Sequence, residues 1–394
     1  MTKLIDITGK ALSGEWGTED DSGIGIPVLR TTNFTNEGIV DYSDVVTRTI
    51  TKKNIAEKYL RLGDIIIEKS GGSDKFPVGR VIYFDGPDNK YLFNNFTGLL
   101  RVKDPQKWNQ KYVFYALFSN YKRGGTRAFE NKTTGLHNLK TDDYVARFEI
   151  KEVPYNQQVS VCRQLDKLFY IIKQREQEIS LMDDLIKARF VEMFGDILHE
   201  SKYPSVQLNE LVDIGSSKRI FANEYVQEGI PFYRSKEIRE LGSGMKPSVE
   251  LFISPERYND IRRKFGIPRV GDILIAAIGA TIGYSWIVNT DSPFYYKDGN
   301  LILLSLKDRV NPVFLNHAMG ILIEDFKSKG VAGSAQLALT IEKLEKMTVV
   351  NPEIELQNKF AGFVKQVDKS KVAVQKALDE TQLLFDSLMQ EYFG

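Results

Sequence analysis

One stretch of this chain is written twice. "QVSVCRQLDKLFYIIKQREQEISLMDDLIKARFVEMFG" runs from Gln158 to Gly195, and "QNKFAGFVKQVDKSKVAVQKALDETQLLFDSLMQEYFG" runs from Gln357 to Gly394, at a constant offset of 199 residues. Neither contains proline, and Gly362 near the start of the second is the one glycine inside either, so both predict long helices. In the second, Phe360, Val364, Val367, Lys371, Val374, Leu378, Thr381, Phe385, Leu388 and Tyr392 follow unbroken steps of four and three. The offset carries these onto Val161, Leu165, Leu168, Ile172, Arg175, Ile179, Met182, Ile186, Arg189 and Met193. A four-three seam sustained over many turns is the pattern of coiled-coil packing. Its repetition in register argues against two unrelated amphipathic helices lying on separate cores.

The segments ahead of the helices also match. "GIPVLRTTNF" (Gly25 to Phe34) answers "GIPFYRSKEI" (Gly229 to Ile238), and "YLRLGDIIIEKSGG" (Tyr59 to Gly72) answers "IPRVGDILIAAIGA" (Ile267 to Ala280). "TGLHNLKTDDYVARFEIKEVP", ending at Pro154, answers "SAQLALTIEKLEKMTVVNP", ending at Pro352. Short runs of Ile, Val, Tyr and Phe between Gly, Asn and Asp predict strands, while Lys107 to Arg123 and Val310 to Gly330 predict one helix in each half. The fold class is therefore α+β, with domains at 1–155 and 198–352 and long helices at 156–197 and 353–394. Antiparallel pairing of those helices would need no long crossover. In a symmetric register Lys371 faces the region of Met182, Asp183 and Asp184.

Composition bounds the function. A chain of 394 residues exceeds one ordinary core. Lys plus Arg (53) nearly balances Asp plus Glu (52), so a polyanion must be held by local patches. The single Cys162 excludes an intramolecular disulfide and suggests a reducing cytoplasm. No basic segment followed by an apolar stretch opens the sequence, so no secretion signal is expected. The longest uncharged run, Ile273 to Val288, is too short and too polar for a membrane span.

Catalytic patterns are missing. His137, His199 and His317 are isolated in sequence, and one cysteine gives no zinc cluster. There is no phosphate-cradling G-x-x-x-x-G-K-[ST]. In "DIIIEKS", Glu68 and Lys69 would point to opposite faces of a strand and could not share a metal, and the second copy lacks both. Asp64 and Asp272 are expected as turn residues before buried strands. The Asn/Asp-Pro-Pro-aromatic loop of amino-methyltransferases is also missing.

Nucleic-acid binding has diffuse support. "YKRGGTRAFENKTTG" carries Lys122, Arg123, Arg127 and Lys132, and "RYNDIRRKFGIPR" carries Arg262, Arg263 and Lys264. Positive side chains in such runs suit phosphate contact, although a basic run taken alone is more often a solvated face. "KSGGSDK" (Lys69 to Lys75) and "IGATIG" (Ile278 to Gly283) occupy equivalent places. Gly71, Gly72, Lys75, Ala280 and Thr281 there could admit a close backbone approach to a groove, or simply form tight turns.

The order domain, helix, domain, helix resembles the DNA-specificity (S) subunits of type I restriction–modification systems over essentially the whole chain. The resemblance rests also on the Gly-Asp-apolar strand before a Gly-rich loop, on "FVEMFGD" and "LMQEYFG" closing the helices, and on "LSGEWG" (Leu12 to Gly17) near the start. It implies two target recognition domains, each reading one half of a bipartite DNA site. It implies an antiparallel coiled coil that sets the spacing and docks two methyltransferase (M) subunits. S-adenosylmethionine would belong to those partners, cleavage to motor-nuclease (R) subunits, and this chain would be a non-catalytic, cytoplasmic DNA reader without a cofactor. Arg30 and Arg234, at matching places after "GIP", are the leading pair for DNA contact, with a fold-stabilising ion pair as the alternative. Thr31, Thr32, Asn33, Ser235 and Lys236 follow them as candidates for a base-edge surface. A protein-interaction scaffold, with the same coiled coil displaying two binding domains, is the competing reading.

Overall fold

The computed structural model describes residues 1–21, 23–131, 136–329 and 337–394. The two long helices extend over Tyr155–Phe194 and Ile354–Phe393, each beginning shortly after a proline, Pro154 or Pro352. By packing, the chain divides into two compact units, Met1–Gln177 with Gln375–Gly394, and Glu178–Val374. Both long helices, expected at 156–197 and 353–394, contribute residues to each unit. Each one is shared, because its apolar face completes a domain core.

In the first unit, Ile65–Glu68 lies at the centre of a four-stranded sheet ordered Leu12–Ser13, Thr97–Leu100, Ile65–Glu68, Val81–Tyr83. Three consecutive isoleucines suit this place, because β-branched side chains pack well on a pleat covered on both faces. All four residues of that strand are buried. A second sheet is ordered Thr18–Glu19, Val46–Thr49, Ile26–Leu29, Leu92–Phe93, with the last pair parallel. The helix Gln110–Lys122 closes the core. Asn109 caps it by accepting from the amides of Lys111 and Tyr112.

The second unit repeats this plan. Val212–Gly215, Leu301–Leu306, Ile273–Ala276 and Ser285–Ile287 form one sheet in that order. Tyr225–Val226, Phe252–Ile253, Ile230–Tyr233 and Tyr295–Tyr296 form the other, again ending in a parallel pair. Asn311 caps the helix Pro312–Lys329 through the amides of Val313 and Phe314.

Within each unit the long helices run antiparallel. In the first, Leu165 and Ile172 share a core cluster with Phe385 and Met389, and the Tyr392 hydroxyl donates to Gln164 Oε1 at 2.9 Å. In the second, Ile186, Phe190 and Phe194 pack with Phe360, Val364 and Val367, and Lys371 Nζ lies 2.6 Å from Asp183. Of the four-three positions, Leu165, Ile172, Ile186, Val364, Val367 and Phe385 are buried. Leu168, Arg175, Ile179, Met182, Lys371, Val374, Leu378 and Thr381 are half-buried, so none of these positions faces open solvent.

Candidate nucleic-acid interface

The matched "GIP" segments build the same local device twice. Each becomes a strand, Ile26–Leu29 or Ile230–Tyr233, that ends on an arginine and turns into a short helix. The Arg30 amide donates to Asn33 Oδ1 at 2.8 Å, and the Arg234 amide donates to Glu237 Oε2 at 2.8 Å. These capping contacts satisfy first-turn amides and hold each arginine at the junction.

Both guanidinium groups are in ion pairs. Arg30 Nη2 is 2.9 Å from the exposed Asp44. Arg234 contacts buried Glu237 at 2.8 Å and exposed Glu250 at 2.9 Å, and Glu250 also takes Lys236 at 2.8 Å. Hydrogen bonds first from Lys236 and then from Arg234 hold the Glu250 carboxyl down at about 2, while Glu237 raises the pKa of Arg234 above its ordinary value. Arg234 thus has two carboxylate partners where Arg30 has one.

Several expected contacts fall elsewhere. Asn33 is 2% exposed, and its Nδ2 donates to the carbonyls of Asp41 and Asp44, so it folds the chain back and cannot present itself to a base edge. Thr32 is exposed and Thr31 half-buried, the Thr31 carbonyl accepting from Arg80 at 2.9 Å. Arg80 also meets Glu68 at 3.3 Å; burial pushes the Glu68 carboxyl up, and Arg80 opposes that. The KSGGSDK stretch is not simply a turn: Ser70–Gly72 is a strand paired with His137–Leu139. Gly72 is buried, and a Cβ there would meet the Val78 amide nitrogen at 2.5 Å, so its smallness serves packing within the chain. Gly71, at φ +133°, remains exposed.

The two basic runs also divide. Lys122 and Arg123 line a cavity of about 550 Å³ with Phe118, Ile172, Phe385 and Met389, and Arg123 Nη2 donates to the Phe393 carbonyl. Both remain exposed at the end of the helix Gln110–Lys122, beside the long-helix packing of the first unit. Arg127 instead donates to the carbonyls of Asp74 and Lys75, at 3.2 and 3.4 Å, and holds that loop. Lys132 lies outside the described residues. In the second unit Arg262, Arg263 and Lys264 are exposed on the helix Pro255–Phe265, where Lys264 pairs with Asp260 at 2.8 Å. Ser235 is half-buried, Ala280 exposed and Thr281 half-buried, its hydroxyl donating to Ile278.

Exposed aromatic side chains beside cations escaped the sequence reading. Lys75 stands 5.1 Å from the exposed Phe76 ring, Lys218 4.4 Å from exposed Phe265, and Arg239 6.0 Å from exposed Tyr284. Adjacency signals the first pair, whereas folding alone brings the other two together. Such surfaces offer both charge and π-faces to a nucleic acid. Among the described residues, no group of three His, Cys, Asp or Glu side chains is arranged to hold a metal. No helix there is long and apolar enough to cross a membrane.

A type I restriction enzyme specificity subunit of Haemophilus influenzae is 26% identical over 166 residues, and the match spans 40% of this chain and 40% of that protein. A type I restriction–modification S subunit structure from M. genitalium has a TM-score of 0.56 at 18% identity, covering 100% of this chain and 95% of the other. A structure described for complex assembly and conformational transition of the type I R-M system has a TM-score of 0.59 at 17% identity, covering 100% and 96%. At these identities the two structures speak for the fold. The family described as type I restriction modification DNA specificity domain matches residues 3–181 and again 200–381, one copy for each repeat, and the chain belongs to that family.

Proposed function

We propose that this chain is the non-catalytic DNA-reading subunit of a type I restriction–modification complex in the cytoplasm, each unit contacting one half of a bipartite duplex site. The observation that carries the reading is the duplicated plan, in which one sheet topology and one arginine junction occur twice beneath different exposed side chains. Lys75 and Arg127 in the first unit, and Lys236, Arg262, Arg263 and Lys264 in the second, supply phosphate contacts. Thr32, Gly71 and Ala280 stand exposed as candidates for close approach. Arg30, with one exposed carboxylate partner, is the guanidinium more readily released to DNA; Arg234 serves first to order its junction.

Partner docking falls to the long helices, in antiparallel coiled-coil packing. Exposed Leu181, Leu185 and Val372 in the second unit, and Tyr170, Leu383 and Leu384 in the first, are apolar side chains left in solvent. Two methyltransferase subunits would cover them and bring S-adenosylmethionine, and motor-nuclease subunits would join through that complex. DNA binding by the chain with its methyltransferase should fall steeply with salt. The double change Arg262→Glu and Arg263→Glu should weaken binding to all sequences and lower the salt slope by about 1 per lost phosphate contact. A protein scaffold would show no slope, and an unchanged slope in the double variant would remove this helix from the interface.

A further inference from the structure

The two units differ at one buried carboxylate. In the first, Asp64 immediately precedes the central strand, and Leu100 pairs with Ile65, which sets Arg101 beside Asp64. Arg101 Nε meets Oδ1 at 2.7 Å and Nη2 meets Oδ2 at 2.6 Å. Its other donor contacts go to the carbonyls of Glu57 at 3.0 Å and Tyr59 at 2.8 Å. One guanidinium therefore joins the carboxylate to the loop ahead of it.

In the second unit Asp272 precedes the central strand and Leu304 pairs with Ile273, so Ser305 stands where Arg101 would. Asp272 is 6% exposed. Its Oδ2 accepts from the Arg269 amide at 2.8 Å and from the Ser305 hydroxyl at 3.4 Å; Oδ1 has no hydrogen bond among the described residues. Phe265 and Ile267 take the places of Glu57 and Tyr59, and their carbonyls accept no hydrogen bond among the described residues. These groups line an open cleft of about 580 Å³, with Tyr295 on its wall. Lys218, on the rim, stands over the Phe265 ring rather than on Asp272.

We propose that this cleft is a guanidinium-binding site, a seat that the first unit fills with its own arginine and the second leaves for a ligand. The unpartnered oxygen of Asp272 is not sealed inside the protein, so a ligand in the cleft can reach it, and a planar fork of N–H donors matches a carboxylate at two points while reaching the loop carbonyls. An ammonium group cannot span that arrangement. The ligand is either an arginine side chain of a partner polypeptide or a small guanidine compound. The inference does not depend on DNA reading, so its test is run without DNA.

Calorimetric titration of the full-length chain should show agmatine binding at least about tenfold tighter than putrescine, a diamine of equal charge. Asp272→Asn should abolish that preference. Ser305→Arg should fill the seat, raise the melting temperature of the second unit and abolish agmatine binding. Ser305→Arg also keeps the test sound if Asp272→Asn fails to fold. A blocked arginine amide that binds as tightly as agmatine would assign a polypeptide source, and clear preference for agmatine a small molecule. Equal affinity for agmatine and putrescine, or agmatine binding that survives Ser305→Arg, overturns the proposal.

Discussion

His317 shows how a residue that looks isolated in sequence acquires a role from packing. Its Nδ1 lies 2.9 Å from the Val313 carbonyl, so the neutral ring donates there, and the ring meets Phe360 edge-on at 5.2 Å. Burial lowers its pKa first; the Val313 hydrogen bond and the charges of Asp368 and Asp183 oppose this, and Lys371 reinforces it. In the unfolded chain this histidine takes up a proton near the ordinary value of about 6.5, whereas the folded one resists. The unfolded state then binds more protons, so this contribution to stability is present above that value and is lost as pH falls below it. Hydrogen-exchange protection factors in the helix Pro312–Lys329 should fall between neutral pH and about pH 5. His317→Gln should flatten that dependence; a variant as pH-sensitive as the parent would place the effect elsewhere.

At the scale of elements, the first turns of the long helices carry a repeated buried amide. Gln158 is 1% exposed; its Oε1 accepts from the Asn109 amide at 2.9 Å, while Nε2 donates to Val153 at 2.9 Å and Lys107 at 3.0 Å. Gln357 is fully buried; its Oε1 accepts from the Asn311 amide at 2.9 Å, while Nε2 donates to Pro352 at 2.8 Å. Each glutamine ties a long helix to the start of its domain helix. Removing one leaves buried backbone groups unpaired, at a cost of about 1–3 kcal/mol. Gln158→Leu should lower the denaturation midpoint of the first unit and Gln357→Leu that of the second. Glutamate should do no better, because a carboxylate cannot donate to the carbonyls. If either leucine variant melts like the parent, these contacts are not stabilising.

The whole molecule closes its first unit with residues distant in sequence. Phe385 and Met389 are buried in the cluster of Leu165, Ile172 and Cys162, although Gln375–Gly394 follows the entire second unit along the chain. Cys162 reports on that closure: burial first, then Asp166, pushes its thiol up to about 12, so it should react slowly in the native state. A chain ending at Val374 would lose the Phe385 and Met389 contacts. Cys162 should then alkylate at least tenfold faster, by the opening that loss of roughly 1.4 kcal/mol or more would allow. Hydrogen exchange in the sheet around Ile273–Ala276 should remain protected. An unchanged Cys162 rate would show that the first unit closes without the C-terminal segment.

How much was legible depends on the range of the interactions involved. The duplicated plan and the helix seams could be read because periodicity and repetition are properties of one stretch at a time: Leu165 and Val364 announce their buried face through neighbours three and four residues away. Asp64 and Asp272 were readable as turn residues for the same reason, each accepting from an amide three residues before it. Other side chains were settled by partners brought close in folding. Asn33 reads as an exposed polar residue until the backbone of Asp41 and Asp44 claims it, and no neighbour in sequence announces the bond of Arg123 to Phe393, 270 residues away. Ser305, unremarkable in sequence, matters because strand register sets it beside a buried carboxylate. Local spacing determines which face of an element is apolar. Whether a charged group is spent on the fold or left for a ligand depends on long-range partners, because a hydrogen bond is sensitive to placement within a few tenths of an ångström that no spacing rule transmits.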